Sequence, residues 1–254
     1  MVSTLKIDGI YVIHALKGYE LHGKRVTNLF REHNLNFEFV TDGDPKFFNK
    51  DILKKYFIPN ISVKMTAGTL SCTLNHILAY EKMVKRKNQY ALIFENDPFF
   101  LGDFTTGLNK MADEINNLEK GFLISLENSA LRFPSFWETR GGKHLFRATT
   151  QRMAGAYLID LEGAKNILND IKQHKCDEVI DWWHNTLVER GVVKMYWAHP
   201  PLVEQGSHNG SLSSTISSKP KSVIRQFQWN IQKIYKTYFR RLFRDKRVIQ
   251  DKHS

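Results

Sequence analysis

The chain has 254 residues, 42% hydrophobic and 25% charged, a composition that fits a folded globular protein and excludes wholesale disorder. Its net charge is +11, yet the stretch Lys219–Arg247, with ten Lys/Arg and one acid, carries +9 of it. The body is therefore nearly neutral, which argues against a general nucleic-acid binder.

No stretch approaches the ~20 apolar residues that a membrane-crossing helix needs. The opening MVSTLKIDGIYVI lacks the pattern of a signal peptide, so a soluble, cytoplasmic protein is expected. Two cysteines, Cys72 and Cys176, do not make a disulfide framework.

IDGIYVIHAL reads as a buried first strand, and Leu21–His33 as a helix with Leu and Val at helical spacing. Phe37–Val40 is a short second strand closed by the turn residues TDGDP. Thr66–Lys85 carries the strongest helix pattern, with Thr69 or Ser71 as a possible cap. YALIFEND is an apolar run ending in acids, the pattern of a central strand that opens into a site. Gly121–Asn128 and AGAYLID read as further strands, LEGAKNILNDIKQH as a helix and Val192–Trp197 as a last strand. This alternation over residues 1–205 predicts a mostly parallel sheet with helices on both faces. QGSHNGSLSSTISSKP then reads as a linker, dividing a domain at residues 1–216 from a tail at 217–254.

Four groups of residues could carry chemistry. Glu95 and Asp97 end the YALIF strand two residues apart, and alternation along an extended chain sets them on one side. Two hard oxygen donors so placed can hold Mg²⁺ or Mn²⁺; an acidic strand-to-turn junction is the plainer reading. His208, in a Gly/Ser loop, could complete a metal shell or simply be solvated. Asp181 stands beside Trp182 and Trp183, where a carboxylate could act as general base near a stacked sugar. Equally, Asp177 or Asp181 could cap a helix and the tryptophans could pack. In the tail, Val223, Phe227, Ile231, Ile234, Tyr238 and Leu242 form a helical stripe among Lys and Arg. Such a helix suits an anionic membrane surface over residues 219–247, with docking on the body or RNA binding as competitors.

In order along the chain, these segments resemble glycosyltransferase family 25, the lipooligosaccharide β-galactosyltransferase type. The opening from Ile10 to Pro45, the block with Gly68, Cys72, Asn75 and His76, YALIFENDPFF, AGAYLIDLEGAKNIL, VIDWWHN and HPPLVEQ carry the likeness. Asn96 stands where the family motif has its middle acid, and His14-Ala15 where Asn-Leu is usual.

The resemblance implies a GT-A-like α/β fold, a divalent metal (Mn²⁺ or Mg²⁺) and a nucleotide sugar, most often UDP-galactose. It also implies an inverting transfer to a lipooligosaccharide or related glycan. Glu95 and Asp97 fall on the metal motif, His208 is a third ligand by analogy, and Arg25 and His76 join the nucleotide-sugar set. Asp181 falls on a late family aspartate and is read as the base. The expected setting is the inner face of the cytoplasmic membrane. A non-catalytic glycan- or nucleotide-binding protein of the same fold is the alternative, with Asn96 as its mark.

Overall fold

The computed structural model describes residues 4–129, 131–209 and 223–249. The chain opens with β1 (Gly9–Ile13), α1 (Glu20–Glu32) and β2 (Glu38–Val40), followed by α2 (Lys50–Tyr56), α3 (Ile61–Lys64) and α4 (Ala67–Arg86). Next come β3 (Tyr90–Glu95), β4 (Pro98–Phe100), α5 (Phe104–Asn109), α6 (Ala112–Asn117), β5 (Phe122–Ser125), β6 (Leu145–Ala148) and β7 (Ala156–Asp160). The remaining elements are α7 (Leu161–His174), α8 (Ile180–Glu189), β8 (Lys194–Ala198), β9 (Val203–Gln205), α9 (Gly206–Asn209) and α10 (Val223–Tyr238).

Seven strands form one sheet in the order β2-β1-β3-β7-β5-β8-β6, flanked by helices and consistent with a GT-A-like fold. The expected mostly parallel sheet is corrected to a mixed one. The ladders β1–β2, β1–β3 and β5–β8 are parallel, whereas β7 runs antiparallel to both β3 and β5, and β6 to β8. β7 enters the gap between β3 and β5 from the opposite end, so the two parallel groups meet across a reversed strand.

The core lies on both faces of this sheet. Alternate residues of β3 divide between them: Leu92 and Phe94 pack with Val26, Phe30, Phe104 and Leu108 from α1 and α5. Ala91 and Ile93 pack with Ile77, Tyr80, Ile167 and Trp183 from α4, α7 and α8. Burial on both faces explains why ALIF is a continuous apolar run. The same two-residue period puts Glu95 on the Ile93 side, toward α4.

Thr66 caps α4, its hydroxyl accepting from the Thr69 N–H at 3.3 Å, so the cap lies just ahead of the expected Thr69 or Ser71. The cap of α8 is Val179, so neither Asp177 nor Asp181 has that role. Two short strands that hydropathy did not mark, β4 and β9, pair antiparallel with Pro98 opposite Gln205. That pairing carries the late HPPLVEQ segment back to the end of β3. Among the described residues, no helix is long and apolar enough to cross a membrane.

The tail packs against the body. Lys236 is buried, donates to Asn128 Oδ1 at 2.6 Å and to the Ser129 carbonyl, and lies over the Phe133 ring. Lys233 pairs with Glu204 at 2.8 Å, and Val248 is buried beside a bridge to Ala148.

Candidate active site

The parallel strands β1, β2 and β3 end together, with Ile13 opposite both Val40 and Glu95. The loops that follow them, with the first turns of α4, enclose a cavity of about 370 Å³. Its wall includes His14, Lys17, Tyr19, Asp44, Ser71, Cys72, Asn75, Glu95 and Asn96. Ligands in α/β proteins bind at this carboxyl edge because successive loops diverge there.

Two side chains fasten the loops. Asp44 accepts from the Leu16 N–H at 3.2 Å and the Lys46 N–H at 3.2 Å, tying the β1 and β2 exits together. Asn75 Oδ1 accepts from the Gly43 N–H at 2.7 Å. A Cβ on Gly43 would stand 2.8 Å from that same Oδ1, so the Asp-Gly turn has no room for a side chain.

The expected alternation of Glu95 and Asp97 along one strand is corrected. β3 stops at Glu95, the chain bends at Asn96, and β4 begins at Pro98. The two carboxylates nevertheless remain neighbours. Burial, and then the Asp97 charge, push the Glu95 carboxyl up to about 7. Glu95 Oε2 accepts from Gln205 Nε2 at 3.0 Å. Asp97 Oδ2 accepts from the Ser207 N–H at 2.9 Å, while buried Asp97 Oδ1 has no hydrogen-bond partner. Asn96 turns the other way, 3.3 Å from His14 Nδ1.

Asp181, in the first turn of α8, accepts from the Ala154 N–H. Its charge is felt at His76, Cys72 and Glu127, which places it in the same cluster. Glu127 is the residue that sequence reasoning missed. It is 1% exposed, and burial, with the charges of Glu95, Asp181 and Asp97, holds its carboxyl well above the usual range. A signal did exist, because GFLISLE ends an apolar run in an acid just as YALIFE does.

His76 is fully buried on α4 and stacks on Tyr157, with Nδ1 2.8 Å from the Tyr157 hydroxyl. Burial drives its imidazole down to about 3, so it is neutral. Arg25 stands apart from the cavity wall. From α1 it donates to the Pro98 carbonyl at 2.8 Å and lies 4.6 Å over the Phe99 ring, bracing the bend behind Asp97. His208 lies in α9 by its backbone, and its side chain is outside the described residues. Of the tryptophan pair, Trp183 is wholly buried and Trp182 is 65% exposed, so packing and contact are divided between them.

Four carboxyls thus meet at the carboxyl edge of an α/β sheet beside a cavity, the place where ligands of such folds bind. The chain belongs to glycosyltransferase family 25: the family model, described as glycosyltransferase family 25 (LPS biosynthesis protein), matches residues 9–181. It is 26% identical over 240 residues to a glycosyltransferase 25 family member of Aedes aegypti, covering 85% of this chain and 39% of that protein. It is 23% identical over 197 residues to a Haemophilus influenzae protein whose glycosyltransferase name is itself provisional, covering 71% of this chain and 67% of that one. An inactive glycosyltransferase 25 family member 3 of Mus musculus is 22% identical over 183 residues, covering 68% of this chain and 31% of that protein. The chain spans about two fifths of the Aedes relative.

Proposed function

We propose that this chain is an inverting, metal-dependent hexosyltransferase moving a sugar, galactose from UDP-galactose as the first candidate, onto a lipooligosaccharide or related glycan. The observation that carries this reading is the convergence of Glu95, Asp97, Glu127 and Asp181 at the sheet's carboxyl edge. Mutually repelling carboxyls, two of them buried and one with an orphaned oxygen at Asp97 Oδ1, fit a divalent cation such as Mn²⁺ or Mg²⁺. Glu95 and Asp97 would hold it, with His208 as a further candidate ligand. The chemistry such a cation supplies is neutralisation of the diphosphate leaving group.

The chain's own groups supply the rest. Gln205 orients Glu95, and the Ser207 N–H orients Asp97. His76 packs behind Glu95 with Nε2 3.8 Å from Oε1, and Arg25 fixes the bend that presents Asp97. Asp181, oriented by the Ala154 N–H, takes the proton of the acceptor hydroxyl as that oxygen attacks the anomeric carbon from the face opposite the leaving group.

The test is a mass-spectrometric screen of UDP-Gal, UDP-Glc and UDP-GlcNAc with lipid-linked oligosaccharide acceptors and Mn²⁺. Asp97→Ala abolishes transfer; near-normal turnover by that variant removes the metal assignment. A second reading rests on Asn96, which takes one acid out of the family motif: a non-catalytic binder of nucleotide sugar. Calorimetric binding of UDP with Mn²⁺, without turnover on any donor, selects it.

The tail fits peripheral attachment to an anionic membrane. Lys233 and Lys236 face the body, which leaves Ile231, Ile234, Tyr235, Tyr238, Phe239, Leu242 and Phe243 exposed on the outer side. The apolar side therefore meets the acyl boundary, and surface residues such as Lys246 meet the headgroups. Flotation with anionic and neutral vesicles tests it: Phe239→Ser with Phe243→Ser releases the protein, and unchanged flotation defeats the idea. The division into domains at 1–216 and 217–254 is part of the same proposal.

A further inference from the structure

We propose that Cys72, His76 and Glu95 form a binding site for a thiophilic divalent cation, Zn²⁺ by type, whose occupation silences the site by taking Glu95. The silencing half rests on the transferase reading above; the binding half does not.

Cys72 and His76 are four residues apart on α4, so one helical face presents both, one turn from each other. Glu95 arrives from β3 on the α4 side of the sheet. Cys72 Sγ is 3.7 Å and His76 Nε2 is 3.8 Å from the same oxygen, Glu95 Oε1. The sulfur, a ring nitrogen and a carboxylate oxygen all lie within 4.8 Å of one another. A modest contraction brings three such atoms onto one ion at ordinary zinc–ligand lengths.

The decisive atom is His76 Nε2. It is fully buried, points into the cluster and has no hydrogen-bond partner. Its ring is not free to turn. Nδ1 is held at 2.8 Å by the Tyr157 hydroxyl, Tyr157 by Tyr80 at 2.6 Å, and Tyr80 by His184 Nε2 at 2.8 Å. Gln151, whose Oε1 accepts from the Arg152 N–H, turns Nε2 toward His184 Nδ1. In the metal-free chain the protons therefore run toward His76 Nδ1, and His76 Nε2–H faces Glu95. A cation at Nε2 takes the place of that proton and reverses the chain, the Nδ1–H then donating to Tyr157. A clamped ring with a bonded remote nitrogen is how proteins fix a metal-binding histidine. Glu95 is fixed likewise, because Gln205 occupies Oε2 and leaves Oε1 toward the cluster.

A sulfur, nitrogen and oxygen set selects Zn²⁺ and its soft neighbours over Mg²⁺ or Mn²⁺. Cys72 and Glu95 both line the cavity, so a fourth position faces it. On binding, the thiol proton of Cys72 goes to solvent, a metal–sulfur bond forms, and nothing is oxidised. Glu95 cannot then serve the oxygen-only pair it makes with Asp97.

The experiment uses Co²⁺ as a spectroscopic stand-in added to the full chain freed of metal by chelator, with Zn²⁺ as competitor. The expected result is a thiolate-to-cobalt charge-transfer absorption that Zn²⁺ abolishes. It is absent in Cys72→Ser, an isosteric change at a half-buried position, and kept in Cys176→Ala. Zinc affinity falls at least tenfold in Cys72→Ser, and the ratio of transfer rates with and without Zn²⁺ rises toward one. No absorption in the wild type, or an absorption that survives Cys72→Ser, overturns the proposal. Transfer activity without the absorption leaves the transferase reading intact and removes this site; the absorption without any transfer does the reverse.

Discussion

Gln205 Nε2 donates to Glu95 Oε2 at 3.0 Å, joining positions 110 residues apart. The bond exists because β9 pairs with β4 beside the end of β3, and because Gly155 has no side chain. A Cβ on Gly155 would lie 2.1 Å from Gln205 Nε2. Gln205→Leu frees the Glu95 carboxylate to rotate. Outer partners of a metal ligand commonly carry about 10–100-fold in affinity or activity, and a loss in that range is expected in a Mn²⁺ titration of transfer rate. Gly155→Ala reproduces it with Gln205 intact. A Gln205→Leu enzyme with an unaltered Mn²⁺ response would show that Glu95 needs no such guide.

The adjacent tryptophans of α8 separate two kinds of loss. Trp183 is wholly buried against α4 and α7, so Trp183→Ala costs about 3–5 kcal/mol of stability. Trp182 is 65% exposed one residue from Asp181. Its loss leaves unfolding by urea unchanged and removes about 1 kcal/mol of acceptor stacking, read as a roughly fivefold rise in acceptor KM at steady kcat. Equal KM for Trp182→Ala and wild type would move the acceptor elsewhere.

How far the sequence foretold this site depends on what hydropathy encodes. YALIFEND announced both a central strand and its acids because β3 is covered on two faces and its end is not. Strand direction left no such trace: AGAYLID is equally apolar whichever way β7 runs, so the reversal between β3 and β5 was invisible. β4 and β9 have three residues each, too few for a period, and Gln205 reaches Glu95 only through them. Glu127 carried the same strand-then-acid pattern as Glu95 but no motif around it to single it out. In the tail, the stripe told which side is apolar but not which side the body covers, and Lys236 covers itself.

Tyr80 holds two buried partners at once, the Tyr157 hydroxyl and His184 Nε2. Tyr80→Phe keeps the ring in the core, strands His184 Nε2 and leaves the Tyr157 hydroxyl with His76 alone. Leaving a buried polar group without its bond costs about 1–3 kcal/mol, and for a chain of this size each kcal/mol lowers Tm by about 2–4 °C. Calorimetry should show that fall together with a weaker hold on the His76 ring, visible as a broadened imidazole NMR resonance. A variant as stable as wild type would mean that the network is wet enough to re-pair.

The last prediction concerns the pH dependence of tail docking. Burial, followed by the charge of Arg152, lowers the Lys236 amine from 10.5 to about 7. Between those values an undocked Lys236 holds a proton that the docked one has shed. Docking therefore releases a proton and strengthens as pH rises from about 7 toward 10.5, and the contribution is weakest and flat below 7. Lys236→Met keeps the apolar stem and removes the titration. Compared with wild type by urea unfolding, its relative stability should fall by at least about 1 kcal/mol between pH 6.5 and pH 9.5, because only the wild type gains over that range. A difference between the two proteins that does not change with pH would mean that the amine keeps its charge in the docked state, satisfied by Asn128 and the Ser129 carbonyl alone.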